Sequence, residues 1–187
     1  MRIIAGSLKR RTLSIPKGLD VRPTTDRVRE AVFSWIVSRV DLEGLNVLDL
    51  FAGSGALAFE AISRGADEAL LVEKSPRIAD VIRQNADHLG ISDQVRVASA
   101  DALTWLGRSS AQFDLVFADP PYDYPDFESL PDAVLSRLTP DGILILEHGK
   151  PGQYEEHPQL VDQRRYGRTN VAFFRPDADT EEIAEDT

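Results

Sequence analysis

Cysteine is absent from the 187-residue chain. Its absence excludes disulfides, a thiolate metal site and a cysteine nucleophile. Histidine is scarce: His88, His148 and His157 are scattered without metal-ligand spacing, so no metal is expected. Long apolar runs are lacking too. None approaches the ~20 residues of a membrane span, and the first residues, "MRIIAGSLKRR", lack the apolar stretch of a secretory signal. The expectation is a cytoplasmic protein with no membrane contact. Cations are in deficit, with 21 Lys and Arg against 31 Asp and Glu and a net charge of -10. The deficit is uneven. Residues 1–39 hold nine basic side chains against Asp20, Asp26 and Glu30, a net of +6, and the rest of the chain carries -16. Screening confines attraction to ~8 Å, so a cationic arm on an acidic body still binds phosphate locally. Charge alone equally allows a solvated basic surface.

What is present is an alternation of strand and helix patterns in a chain long enough for one sizeable core. Residues 2–15 contain two short β-like pieces around Gly6-Ser7, forming a hairpin or lying extended. "RPTTDRVREAVFSWIVSRV" is helical, capped from Thr24, Thr25 or Asp26, with Val28, Val32, Trp35 and Ile36 on one apolar face and Arg27, Arg29 and Glu30 pointing elsewhere. From Leu45 the strands "LNVLDLFA", "EALLVEK", "VRVASAD", "FDLVFAD" and "GILILEHG" alternate with helices "GALAFEAISRG", "SPRIADVIRQNADHLG", "ALTWLG" and "FESLPDAVLSRL". Ser75 before Pro76 fits a serine cap with proline at the first helical position. "YGRTNVAFFR" reads as an antiparallel edge hairpin element, and residues 177–187, with six acids and no base, as a disordered tail. The pattern implies an α/β fold with a mainly parallel sheet covered on both faces. In such sheets ligands sit beyond the carboxyl ends of the strands, near the switch in strand order.

The strand ends carry chemistry. "DLFAGSGALA" places Gly53 and Gly55 where the backbone must approach a ligand and enter a helix, and it satisfies a loose G-x-G-x-x-A dinucleotide pattern. Asp49 discriminates. A carboxylate four residues before Gly53 is awkward beside a pyrophosphate and suitable beside a positive charge such as an amino group or a sulfonium. Its rival role is structural. Glu73, 18 residues after Gly55, stands where an acid accepts ribose hydroxyls, in NAD enzymes as well. Asp101 accepts from an adenine amino group or caps the helix that begins at Ala102. The fourth strand ends in "FDLVFADPPYDYP", a carboxylate followed by two stiffening prolines and a tyrosine.

Together these residues resemble the Rossmann-like S-adenosyl-L-methionine (SAM) methyltransferases. "DLFAGSGALA" looks like their glycine-rich first motif, and "DPPY" like the [D/N]-P-P-[Y/F/W] motif of enzymes that methylate amino or amide nitrogens. "RIIAGSLKRRTLSIP", "RPTTDRVREAVFSWI" and "DLFAGSGALAFEAISRGA" resemble the RsmD family, the 16S rRNA guanine-N2 methyltransferases, over about residues 1–175. The family more often has glycine where Ala58 stands. The resemblance implies the Rossmann-like SAM-methyltransferase fold, a seven-stranded mainly parallel sheet with helices on both faces plus a short N-terminal basic extension. It divides the chain into residues 1–40, a basic arm and helix contacting RNA, residues 41–176, the methyltransferase domain, and the acidic tail.

It further implies SAM binding by Asp49, Phe51, Gly53, Gly55, Glu73, Lys74, Asp101 and Ala102, with Thr25 and Arg27 near the methionine end. Asp119, Pro120 and Tyr122 are then catalytic. Lys9, Arg10, Arg11, Arg22 and Tyr122 face the RNA. The partner is 16S rRNA in the small ribosomal subunit, met by a monomer without metal. Guanine N2 is a poor nucleophile because its lone pair is delocalised. The Asp119 carboxylate and the Pro120 carbonyl are the acceptors that would reshape it, and Tyr122 would stack on a base taken out of its own stack. Cytosine-C5 chemistry needs a cysteine and is excluded. DNA adenine-N6 or cytosine-N4 methylation and protein glutamine methylation share the motif, and the basic arm favours nucleic acid. Asp49 and the motif oppose an NAD oxidoreductase. A non-catalytic SAM-binding ribosome-assembly factor is the remaining alternative.

Overall fold

The computed structural model describes residues 1–15, 25–121 and 123–176. Arg22, Tyr122 and the segment 177–187, for which disorder is expected, lie outside the described residues. The elements follow in the order α1 (Asp26–Val37), β1 (Asn46–Leu50), α2 (Ala56–Ser63), β2 (Glu68–Glu73), α3 (Pro76–Leu89), β3 (Val95–Ser99), α4 (Ala102–Arg108), β4 (Phe113–Ala118), α5 (Leu130–Leu135), β5 (Leu138–His148), β6 (Leu160–Tyr166) and β7 (Thr169–Phe174). The seven strands form one sheet in the order β3-β2-β1-β4-β5-β7-β6. The neighbours from β3 to β5 pair in parallel, and β7 is antiparallel to both β5 and β6. Strand order reverses between β1 and β4, which opens a crevice at their carboxyl ends.

Successive side chains of a strand point to opposite faces, and the apolar sequence of the inner strands therefore feeds two cores. Val47, Phe117 and Phe173 pack under α1, α2 and α3 on one face. Leu48, Val116 and Phe174 pack under α4 and α5 on the other. The predicted edge position of "NVAFF" is corrected by the structure. β7 lies inside the sheet between β5 and β6, with Val171 to Phe174 buried. A run apolar on both faces needs cover on both sides, whereas the polar β6 "LVDQRRY" tolerates the edge.

α1 begins at Thr25, whose side chain accepts from the Val28 N–H at 3.3 Å. Its apolar face lies on the sheet. Phe33 meets Phe117 at 5.6 Å, Trp35 stacks on Phe173 at 3.9 Å, and the indole N–H donates to Asp162 Oδ2 at 2.6 Å. Truncating either ring would cost about 3–5 kcal/mol. Arg29 departs from the helical-face reading. It is 1% exposed, with Nη2 donating to the Arg2 carbonyl at 2.7 Å and to Asp26 at 2.9 Å. Burial lowers the pKa of its guanidinium, and the Asp26 and Glu60 carboxylates oppose that shift.

The first fourteen residues form a hairpin clasped to α2. Ile3 and Arg11, Arg10 and Ile3, and Leu13 and Met1 are joined by N–H to carbonyl bonds of 2.9 Å. Fully buried Glu60 accepts the Ile4 and Ala5 N–H groups at 2.7 and 2.9 Å and Arg64 Nε at 2.8 Å. At the turn, Gly6 has φ +80°, and a Cβ there would fall 1.7 Å from the Ser63 carbonyl oxygen. α2 and α3 descend from the carboxyl ends of β1 and β2, so Ser63 and His88 lie at the sheet's amino end. The hairpin tip lies there with them.

Candidate active site

The parallel register aligns the strand ends in a row. Leu50 pairs with Val72 on one side and with Ala118 on the other. Glu73, Phe51 and Asp119 are therefore level on neighbouring strands, about 10 Å from first to last at ~4.8 Å per strand. Asp101 follows two residues after Ser99, the partner of Glu73. Asp119 is half-buried and Pro120 buried, one and two residues past β4. Seven of the ten residues expected at the cofactor site fall on this row or on the turn beside it, and Asp49 stands just beneath.

The turn after β1 is strained. Phe51 has φ 64°, which costs a non-glycine residue about 1–2 kcal/mol. Gly53 (φ 54°) and Gly55 (φ 77°) also lie in the left-handed region. A Cβ on Gly55 would stand 2.7 Å from the Phe59 ring and 3.0 Å from Leu71, so the turn is fitted to the core beneath it. Glu73 fixes its outer side: Oε2 accepts the Gly53 N–H at 3.1 Å and Oε1 the Ser75 N–H at 2.8 Å. Ser75 is the N-cap residue of α3 and Pro76 opens the helix, as expected, but the Ser75 side chain makes no capping bond. Two of the four lone-pair sites on Glu73 are left for a ligand.

Asp49 is 3% exposed and accepts the Ala58 N–H at 3.3 Å. Burial pushes its carboxyl up to about 7, opposed by that hydrogen bond and reinforced by Glu73. Ala58 N–H is one of the unpaired donors of the α2 amino terminus, the group that would hold a pyrophosphate. A carboxylate already occupies it. The donor set, three carboxylates near a glycine turn, fits a ligand that brings a positive charge and hydroxyl groups, not a dinucleotide phosphate.

Asp101 takes the second of its predicted roles, the helix cap. Oδ1 caps α4 through Thr104 N–H at 3.2 Å, and Oδ2 faces Lys74 at 3.5 Å. Ala102 is buried as the first residue of α4. Thr25 is occupied as the α1 cap, and Arg27 is exposed on the first turn of α1. Arg11 donates to the His88 carbonyl at 2.6 Å, at the end of α3 remote from this row, and Lys9 and Arg10 are exposed beside it. One site residue escaped the sequence reading. Tyr124 meets Phe51 edge-on at 4.9 Å, and burial, then the nearby Asp101, raise its phenol while a backbone bond from Leu103 lowers it. It bridges the loop after β4 to the Phe51 and Asp101 ends. The second tyrosine in "DPPYDYP" was the available signal.

Strand order, crevice and carboxylate row together define a Rossmann-like SAM-methyltransferase fold. A family model described as "Conserved hypothetical protein 95" matches residues 1–175, and the chain belongs to this family, the RsmD methyltransferases. It is 37% identical over 182 residues to "Ribosomal RNA small subunit methyltransferase D" of Haemophilus influenzae, covering 94% of this chain and 93% of that one. It is 34% identical over 183 residues to YlbH of Bacillus subtilis, covering 94% and 98%. The solved structure of Escherichia coli yhhF superposes with a TM-score of 0.81 at 30% identity, covering 94% of this chain and 97% of that one.

Proposed function

We propose that the chain transfers a methyl group from SAM to the exocyclic N2 amine of a guanine in 16S rRNA. The substrate is an assembled or assembling small ribosomal subunit, and the enzyme acts in the cytoplasm as a monomer. The observation that carries this reading is the placement of Asp119 and Pro120 at the end of β4, beside the glycine turn and at the reversal of strand order. The printed name of the Haemophilus influenzae relative supports the RNA class.

SAM supplies an electrophilic methyl on a sulfonium. Ionised Asp49 faces positive charge at the cofactor. Glu73 accepts ribose hydroxyls with the lone pairs that Gly53 and Ser75 leave over. Asp101 and Ala102 would hold the adenine, with Phe51 and Tyr124 as apolar neighbours. The Asp119 carboxylate and the Pro120 carbonyl accept the two N2 hydrogens, draw the nitrogen toward tetrahedral geometry and aim its lone pair at the methyl carbon. The gain is chiefly orientation, with electrostatic help as positive charge develops on nitrogen. Formation of the N–C bond would break the S–C bond and leave the cofactor as a neutral thioether, and Asp119 would take the proton that the nitrogen then releases. Tyr122 stacks on the displaced guanine, a contact worth ~1–3 kcal/mol.

The test is incorporation of labelled methyl from SAM into small subunits isolated without this modification, beside large subunits and duplex DNA. Incorporation confined to the small-subunit RNA is expected. Incorporation into DNA alone would replace the RNA reading with a DNA amino-methyltransferase.

A further inference from the structure

RNA presented to Asp119 must cross the carboxyl rim of the sheet, and the edge of that rim carries a basic feature outside the methyl-transfer site. β6 and β7 meet in a hairpin whose tip reads Arg164-Arg165-Tyr166-Gly167-Arg168, three arginines in five residues with no acid. We propose that this tip, together with Lys150, grips the RNA phosphate backbone beside the target nucleotide. The inference rests on the RNA-methyltransferase reading above.

The register sets the tip on the rim. His148, the last residue of β5, pairs with Asn170, and Asn170 Nδ2 donates to the His148 carbonyl at 3.4 Å. The buried imidazole of His148 is held below its ordinary pKa by desolvation and is neutral. Its Nδ1 bonds the Lys150 carbonyl at 3.0 Å and its Nε2 meets Gln163 at 3.1 Å, so one side chain ties the loop bearing Lys150 to β6. From β4 to β6 is three strand spacings, about 14 Å. The cations thus stand on the same rim of the sheet as the acceptor position.

They are also available. Arg165, Arg168 and Lys150 are exposed, and none has an ion-pair partner among the described residues. Arg165 Nε bonds the Gly167 carbonyl at 3.1 Å, which holds its guanidinium at the tip. Arg164 is different: it points to the α1 face and is paired with Asp162 at 3.0 Å. Lys9, Arg10 and Arg11 are the competing basic cluster. They sit at the far end of α3, whose fourteen residues span about 21 Å. That is more than two Debye lengths from the rim at physiological salt, where the screening length is ~8 Å. Phosphates near the target base lie closer to the hairpin than to the amino-terminal tip.

The experiment is filter binding of 16S rRNA to the full chain at two salt concentrations, with SAM calorimetry and thermal melting on every variant. Combined Lys150→Ala, Arg165→Ala and Arg168→Ala should lower RNA affinity at low salt about tenfold or more and flatten the salt slope by about 0.7–0.9 per lost contact. SAM affinity should not change. Arg165→Lys with Arg168→Lys should restore most of the slope, which a merely structural role would not predict. Lys9→Ala with Arg10→Ala should alter affinity less than about twofold, since those charges lie beyond the screening length. RNA affinity and slope left intact by the triple variant, or an equal loss in the Lys9/Arg10 variant, would overturn the proposal. A wild-type chain that binds SAM but no RNA would instead overturn the RNA reading on which it rests.

Discussion

Replacing Asp49 by asparagine should make the cofactor-free protein more stable and the enzyme unable to hold its cofactor tightly. The carboxyl is buried and pushed from 3.8 up to about 7. The unfolded chain therefore releases this proton at lower pH than the folded chain does. With rising pH the unfolded state is favoured progressively from near 3.8, and the effect levels off above about 7. At ~1.4 kcal/mol per pH unit the full cost is about 4–5 kcal/mol, and the part falling between pH 5 and pH 8 is about 2–3 kcal/mol. Asparagine keeps an acceptor for the Ala58 N–H and has no charge to bury. Its advantage should thus widen by about 2–3 kcal/mol from pH 5 to pH 8, seen as a relative Tm gain of roughly 5–10 °C for a chain of this size. Scanning calorimetry of both proteins at the two pH values reads it. In parallel, wild-type SAM affinity should fall about tenfold per pH unit below 7, because binding must expel the Asp49 proton, and the variant should lack that dependence. An asparagine variant less stable than wild type at pH 8, or an advantage independent of pH, would refute the assignment of Asp49 as a buried carboxylate kept for a cationic ligand.

Asp119→Ala should lose most turnover while SAM affinity by calorimetry stays within a few-fold, and Tyr122→Ala should lose less, by about the ~1–3 kcal/mol of a base stack. Near-wild-type transfer by Asp119→Ala would contradict the proposed handling of the amine. Tyr124→Ala should weaken SAM binding, with Tyr124→Phe retaining most of it because the Phe51 contact is through the ring edge. Equal losses in both variants would shift the role to the phenol. Glu60→Ala should destabilise the fold by about 2–4 kcal/mol in urea titration, since it strands two half-buried N–H groups and Arg64. A change under ~0.5 kcal/mol would show that the amino-terminal hairpin is not held by that carboxylate.

The strands and the carboxylate row were legible because their signals are local. Apolar runs, the Gly53 and Gly55 turn, Pro76 and the prolines after Asp119 all act within a few residues of themselves. What stayed hidden depends on partners distant in sequence. β7 reads as an edge element until β5 and β6 are seen on either side of it. Arg29 looks like a solvent-facing helix residue until the Arg2 carbonyl and Asp26 receive it. Glu60 is one acid in an apolar helix until the first five residues close over it. The run Lys9-Arg10-Arg11 announces charge in the sequence but not the end of the sheet at which it stands. Tyr124 was passed over because its contacts, Phe51 and Asp101, come from two other strand ends.

The most direct test of the account is the identity of the modified nucleoside. Small subunits lacking the modification, treated with this protein and labelled SAM, digested to nucleosides and separated by chromatography with mass detection, should yield the label as N2-methylguanosine at one position of 16S rRNA, and Asp119→Ala should lose most of it. Label recovered as a ring-carbon methyl, as a ribose methyl or in protein would contradict the assignment of Asp119 and Pro120 to an exocyclic amine.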